Sequence, residues 1–237
     1  MKNSSTQVSS DLTLQVLSVG EDKTPVIVID EFSVNTDDIV EHACKNLPFN
    51  KRDNTHYPGI RAPLPKDYVI NVLQAVYQEI CRIYNVPTNL QLRPQEIYFS
   101  LITQKPESLS LLQRMPHFDT SRPFYFAVLH YLNDGNHGNT GLFRHIPSGL
   151  EKIENHNVEA YLTSAQNFID TRGEPPQEYC TQSNEHFELY QQIEYKPNRL
   201  VIYPGQLLHS IIILPEHDID PNPSTGRLTA NIFIEFT

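Results

Sequence analysis

At 237 residues, with 39% hydrophobic and 10% aromatic side chains, the chain can bury a full core and reads as one domain. A formal charge of −10, with no run of four or more Lys/Arg, opposes phosphate backbones, so nucleic acid is not an expected partner. Cys44, Cys81 and Cys180 are odd in number and far apart, the opening MKNSSTQVSSDLTLQ lacks an apolar leader core, and no stretch approaches the roughly 18 apolar residues of a membrane span; together these predict a soluble, cytoplasmic protein.

Residues 1–11 read as a disordered tail within a polar tail or strand over 1–24. PVIVIDEF (25–32) is a short β-branched run and predicts a strand. SVNTDDIVEHACKNLPF predicts a helix capped by Asn35 or Thr36, with Asp37 and Asp38 in its first turn. Its buried stripe is Ile39, Val40, Ala43 and Leu47. The Pro/Gly-rich stretch 50–65 predicts a long loop, long enough to suggest a function. KDYVINVLQAVYQEICRIYNV (66–86) carries Val69, Val72, Leu73, Val76, Ile80 and Ile83 at three-to-four spacing and predicts the clearest helix. The segment 25–94 is thus read as helical support.

From about 95 the texture changes. EIYFSLITQ, PFYFAVLHYLND, GLFRHI, NRLVIYPGQ, HSIIIL and RLTANIFIEF are strand-like and bounded by Gly, Pro or Asn. An interruption at about 149–194 carries helical candidates around VEAYLTSAQNFI and EHFELYQQI, and is a candidate lid or homodimer element. Helices first and strands afterwards predict a mainly β fold with N-terminal helices, an antiparallel sandwich or barrel.

One short motif stands out against this frame. His117-Phe118-Asp119 places an imidazole and a carboxylate on the same face of an extended segment. With 10 His in the chain, about half of one such H-x-D arises by chance, so the motif alone decides nothing. Two ligands hold a catalytic metal poorly. A later histidine would complete a two-histidine, one-carboxylate facial triad, which binds Fe(II) and leaves positions open. NRLVIYPGQLLHSIII supplies His209 after a Pro-Gly turn. In RLTANIFIEF, alternation puts Arg227, Thr229 and Asn231 on one face and Leu228, Ala230, Ile232 and Ile234 on the other. The second face suits packing on the N-terminal helices. The first presents a guanidinium that needs an anion, and its planar fork matches a carboxylate.

The order His117-x-Asp119, His209, Arg227, on alternating strands after N-terminal helices, resembles the Fe(II)/2-oxoglutarate-dependent dioxygenases, nearest to their prolyl-hydroxylase-like branch. PVIVIDEFSVNTDDIVEHA resembles that branch's opening strand and helix, HYLND its Tyr-Leu-Asn strand, GNTGLFRH a Gly-rich turn and RLVIYPGQLLHS the approach to the distal histidine. YPGIRAPLP resembles a segment of bacterial members of the superfamily. The resemblance covers roughly 25–48 and 95–237, thinly in 149–194.

The resemblance implies a double-stranded β-helix of the jelly-roll or cupin-like kind, spanning 95–237 within a single oxygenase domain. It implies that His117, Asp119 and His209 hold iron and that 2-oxoglutarate chelates it, its far carboxylate on Arg227. Tyr131 or Thr229 would add a hydroxyl, and O2 would be the second cosubstrate. The activity implied is oxidative decarboxylation to succinate coupled to C–H oxidation. An acid at 119 fills the position halide takes in related halogenases, which favours hydroxylation or a related desaturation or ring closure. The expected substrate is a small molecule derived from an amino acid, with a peptide or protein as the alternative. Two other classes remain open: a cupin-like metalloenzyme that does not use 2-oxoglutarate, and a binding domain.

Arg61, Arg144 and His145 are candidate substrate contacts, although Arg144 and His145 point to opposite faces of one strand, so at most one would line a pocket. The alternation that turns Tyr131 inward turns His130 outward, into a structural position. His137 in DGNHGN and the acidic string EHDID (216–220) read as solvated loops.

Overall fold

A computed structural model describes residues 7–51 and 56–237, so parts of the predicted tail and of the 50–65 loop lie outside the described residues. The described elements run, in order, β1 Thr13–Val19, β2 Thr24–Asp30, α1 Asp37–Asn46, β3 Gly59–Pro63, α2 Lys66–Ile83 and β4 Leu92–Ile102. They continue with β5 Tyr125–Tyr131, β6 Asn139–His145, α3 Val158–Arg172, β7 Phe187–Ile193, β8 Leu200–Pro204, β9 His209–Ile212, the single turn α4 Pro215–Asp218 and β10 Thr229–Phe236.

The strands form a seven-stranded sheet in the order β1-β2-β8-β5-β10-β4-β3 and a three-stranded sheet in the order β7-β6-β9, every adjacent pair antiparallel. The expected mainly β class with helices toward the N-terminus is therefore what the chain adopts.

Period-two alternation explains how the large sheet packs on both faces. Ile27, Ile29, Phe126, Val128, Ile202, Ala230, Ile232 and Ile234 form one cluster with Ile39 and Ala43 of α1 and Val69, Val72, Val76 and Ile80 of α2. Their neighbours in sequence, Val26, Val28, Ala127, Leu129, Tyr131, Val201 and Tyr203, meet Leu142 and Ile193 of the small sheet. Both predicted helices thus cover one face of the sheet, the small sheet the other. Each fully buried Val or Ile of α2 contributes about 1.5–3 kcal/mol relative to exposure. Leu228 joins the helix-side cluster, as the alternation of β10 requires. His130 also lies on that side, between the Tyr68 hydroxyl (2.8 Å) and Asn198 Oδ1 (3.2 Å).

Several expectations are corrected. Residues 7–11 are not a free tail: Val8 bridges Ser33, and the Ser9 N–H donates to the Phe32 carbonyl at 2.9 Å. The 50–65 loop contains β3, which adds an edge strand to β4. EHFELYQQI is no helix. Its Glu, Leu and Gln suit a helix locally, but Phe187–Ile193 pairs along β6, and ladder formation outweighs propensity. The 149–194 segment therefore supplies a strand as well as α3. Tyr161 of α3 packs with Phe143, Phe187 and Leu208 on the outer face of the small sheet, away from the inter-sheet space. At α1, Thr36 occupies the cap position, while Asn35 Oδ1 accepts the Asp37 N–H at 2.9 Å. No helix among the described residues is long and apolar enough to cross a membrane.

Candidate metal centre

His117 and Asp119 lie on an extended segment that pairs with the end of the β8–β9 turn. The His117 N–H donates to the His209 carbonyl at 2.9 Å, His209 returns the bond at 2.8 Å, and the Asp119 N–H donates to the Gly205 carbonyl at 2.7 Å. This ladder puts residues far apart in the chain side by side. His209 in turn stands opposite Leu142 of β6, whose side chain faces the inter-sheet space. Gly205 is required here, because a Cβ would lie 2.7 Å from the Tyr125 ring and 3.1 Å from Asp119 Cβ.

The three side chains converge. Asp119 Oδ1 is 4.0 Å from His117 Nε2 and 3.9 Å from His209 Nε2, and one ligand atom from each residue lies within 4.8 Å of the others. Among the described residues this is the one such cluster of three His, Cys, Asp or Glu side chains. Bonds of about 2.1 Å place adjacent donors roughly 3 Å apart, so a small side-chain rotation closes the set on one ion.

The electrostatics suit a cation. Asp119 Oδ2 is buried without a hydrogen-bond partner. Burial raises the Asp119 pKa and the nearby Glu96 carboxylate adds to it, while His209 and Arg61 act in the opposite sense. Desolvation, then repulsion from His209, Arg61 and His56, hold His117 well below the ordinary imidazole value. His209 Nδ1 sits 2.8 Å from the Leu207 carbonyl, and donation there leaves the Nε2 lone pair facing Asp119. Two imidazole Nε2 atoms and a carboxylate with an unpartnered oxygen form a donor set that fits a divalent ion.

Arg227 is buried at 2% exposure. Its Nε donates to the Gly138 carbonyl at 2.8 Å, its guanidinium carbon lies 5.3 Å from the Tyr131 ring centre and 5.6 Å from that of Tyr195, and Nη2 has no partner. A buried guanidinium with an unpaired N–H can take up an anion's oxygen. Tyr203 spans the gap between the two features. Its ring meets the His209 ring at 5.0 Å, and its hydroxyl pKa is pushed up by burial and by Asp119 and Tyr131, with Arg227 opposing.

Strand register places the remaining candidates. Arg61 is opposite Ser100, Ser100 opposite Thr229, and Thr229 opposite Tyr131. Residues directly opposite share a face, so these four side chains form one row on the inner side of the large sheet. The Tyr131 hydroxyl bonds Thr140 Oγ1 at 2.7 Å, and Thr229 Oγ1 accepts from Asn231 Nδ2 at 2.9 Å.

Arg144 and His145 do not reach this site. Arg144 is held by Glu151, Glu188 and Glu21 at the far end of β6. His145 Nδ1 bonds Ser148 Oγ at 2.6 Å and its Nε2 bonds His186 Nε2 at 3.0 Å, in the cluster beneath α3.

In the two segments read as solvated loops, residues 134–136 and 216–217 are exposed as expected, whereas His137 and Asp218 are corrected. His137 is buried and its Nδ1 lies 2.9 Å from Asp218 Oδ1, while Asp218 itself is fully buried. Asp218 Oδ2 also accepts the Gly138 N–H at 3.0 Å and the Leu214 N–H at 2.6 Å. Asp218 thus pins the residue whose carbonyl holds Arg227. A Cβ on Gly138 would collide with the Ile212 carbonyl and the Asp218 carboxylate. Nothing local announces this arrangement, since Asp218 lies 80 residues beyond Gly138.

The chain belongs to a family of unknown function, DUF6445, whose model matches residues 10–234. No curated protein matches it.

Proposed function

We propose that this protein is a non-haem iron oxygenase that couples oxidative decarboxylation of 2-oxoglutarate to C–H oxidation of a small substrate. The observation that carries the reading is the conjunction of two features joined through Tyr203: His117, Asp119 and His209 within 4.8 Å of one another, and a buried guanidinium, Arg227, with a free N–H. A cupin-like metal site without 2-oxoglutarate has no use for Arg227 in this state.

Strand order supports the same reading. Taking β4, the His117 segment, β5, β6, β7, β8, β9 and β10 as successive strands one to eight, the large sheet reads one-eight-three-six and the small layer two-seven-four-five. Apart from strands four and five, which pair within the small sheet, successive strands alternate between the two layers, as they would in a jelly roll or double-stranded β-helix. Strands β1, β2 and β3 extend the large sheet beyond it.

In this reading His117, Asp119 and His209 hold Fe(II) through two imidazoles and one carboxylate. The ferrous ion with bound 2-oxoglutarate and O2 supplies the oxidation, yielding succinate and carbon dioxide. The chain's own residues bind and orient. Arg227 pairs with the far carboxylate of 2-oxoglutarate, its fork pre-set by the Gly138 carbonyl and by the Tyr131 and Tyr195 rings. Tyr131 and Thr229 stand in one row within reach of the same diacid. Tyr203 and Leu142 keep water from the inner side, which strengthens each ionic contact.

The test is anaerobic addition of Fe(II) and then 2-oxoglutarate, watching for the visible charge-transfer band of the chelate. The band is expected in the native chain, lost in His117→Ala and weakened in Arg227→Ala. Fe(II) binding with no band, and no effect of Arg227→Ala, would favour the cupin-like alternative. No Fe(II) binding at all would favour a binding domain.

A further inference from the structure

The guanidinium of Arg61 has no place in holding iron or 2-oxoglutarate, yet it is prepared as carefully as that of Arg227. It lies 3.9 Å from the Tyr98 ring centre and 4.6 Å from that of Tyr57, so the two phenols fix its plane. Only 12% of its side chain is exposed, and its Nε is buried without a hydrogen-bond partner. Its ion-pair partner among the described residues, Glu96, stands 3.8 Å away and is 56% exposed, which makes a weak, solvent-screened pair. A cation so enclosed and so incompletely paired carries a standing desolvation cost that an anion would relieve.

Its position says which anion. Arg61 occupies the β3 end of the row that runs through Ser100 and Thr229 to Tyr131. At the usual strand spacing of about 4.8 Å it lies roughly 10 Å from Thr229 across the sheet, on the far side of Ser100. The row shares the inner face of the large sheet with Tyr203, whose ring meets that of His209, and His117 is the most solvent-open of the three ligands. A molecule gripped there is held at a more exposed guanidinium than the buried Arg227.

We infer that Arg61 is the anchor of the oxidised substrate, and that this substrate is a small carboxylic acid, with free amino acids in the class. A planar carboxylate accepts two parallel N–H bonds from a guanidinium held in this fixed plane. The inference rests on the oxygenase reading for its direction, since it assigns the inner anion site to 2-oxoglutarate and the outer one to the molecule oxidised.

The experiment uses the full chain and matched pairs, the twenty free L-amino acids with their C-terminal amides, read by isothermal titration with and without Fe(II) and 2-oxoglutarate under nitrogen. At least one acid is expected to bind at least tenfold more tightly than its amide. Arg61→Gln is expected to erase that preference and Arg61→Lys to keep part of it. Failure of every acid to bind at millimolar concentration, equal binding of acid and amide, or an unchanged preference in Arg61→Gln would each overturn the inference. The charge-transfer band separates the two readings. If Arg61→Gln abolishes the band, Arg61 serves 2-oxoglutarate and the inference falls. If the native chain forms no band, the oxygenase reading falls, while the acid-over-amide preference is still decided by titration of the metal-free chain.

Discussion

Replacing Asp218 with alanine tests whether the Arg227 site is built from behind. Asp218 has no exposed surface and accepts from the His137 ring at 2.9 Å, the Gly138 N–H at 3.0 Å and the Leu214 N–H at 2.6 Å. Alanine leaves these groups facing an apolar methyl, and each stranded buried donor costs about 1–3 kcal/mol. Because the three share one carboxylate their losses do not add, and the total is about 3–5 kcal/mol. In a domain of this size about 4 kcal/mol lowers the melting temperature by about 8–16 °C. Calorimetry or urea unfolding followed by circular dichroism reads this directly. A second consequence is functional: Gly138 loses its tether, its carbonyl no longer fixes Arg227 Nε, and 2-oxoglutarate affinity is expected to fall about tenfold, equivalent to 1.4 kcal/mol. A melting temperature within about 3 °C of the native value would refute the structural reasoning. A destabilised variant with unchanged 2-oxoglutarate affinity would refute only the positioning argument.

Further outcomes follow from the same geometry. Anaerobic Fe(II) at 100 times its dissociation constant should stabilise the native chain by about 2.7 kcal/mol, a gain absent in His209→Ala; equal stabilisation of both proteins would place the ion elsewhere. His130 is buried between Tyr68 and Asn198, and burial pulls its pKa down from 6.5 to about 4. The unfolded chain takes up the proton first, so this stability is complete above about pH 6.5 and is lost as pH falls toward 4. At pH 5 the loss is about 2 kcal/mol, and a His130→Phe variant should show a correspondingly flatter dependence of its urea midpoint on pH. Gly138→Ala should fail to fold or lose the charge-transfer band, because the added methyl meets the Ile212 carbonyl; a fully native spectrum would show that the turn yields. Arg144→Ala should leave Fe(II) and 2-oxoglutarate binding unchanged, since its carboxylate partners lie away from the triad.

Regular, local patterns were legible in the chain itself. The three-to-four spacing of Val69, Val72, Val76 and Ile80 gave α2 its buried face, and the two-residue alternation of β10 separated Arg227 and Thr229 from Ala230, Ile232 and Ile234. The same alternation put His130 on the helix side. His117 and Asp119 shared a direction because an extended chain repeats every two residues. Such features depend on backbone geometry within a few residues, so composition and order suffice to determine them.

Pairing between distant strands decided the rest. Arg61 reads as a loop residue until β3 docks on β4 and aligns it with Ser100 and Thr229. Phe187–Ile193 reads as helix until β6 supplies its hydrogen bonds. His137 and Asp218 each read as solvated, and each is buried because the other is there. Arg144 looked free for a ligand until three carboxylates from three separate segments closed on it. A side chain's partner across 80 residues is fixed by sheet register and chain closure, quantities that no local run of residues encodes.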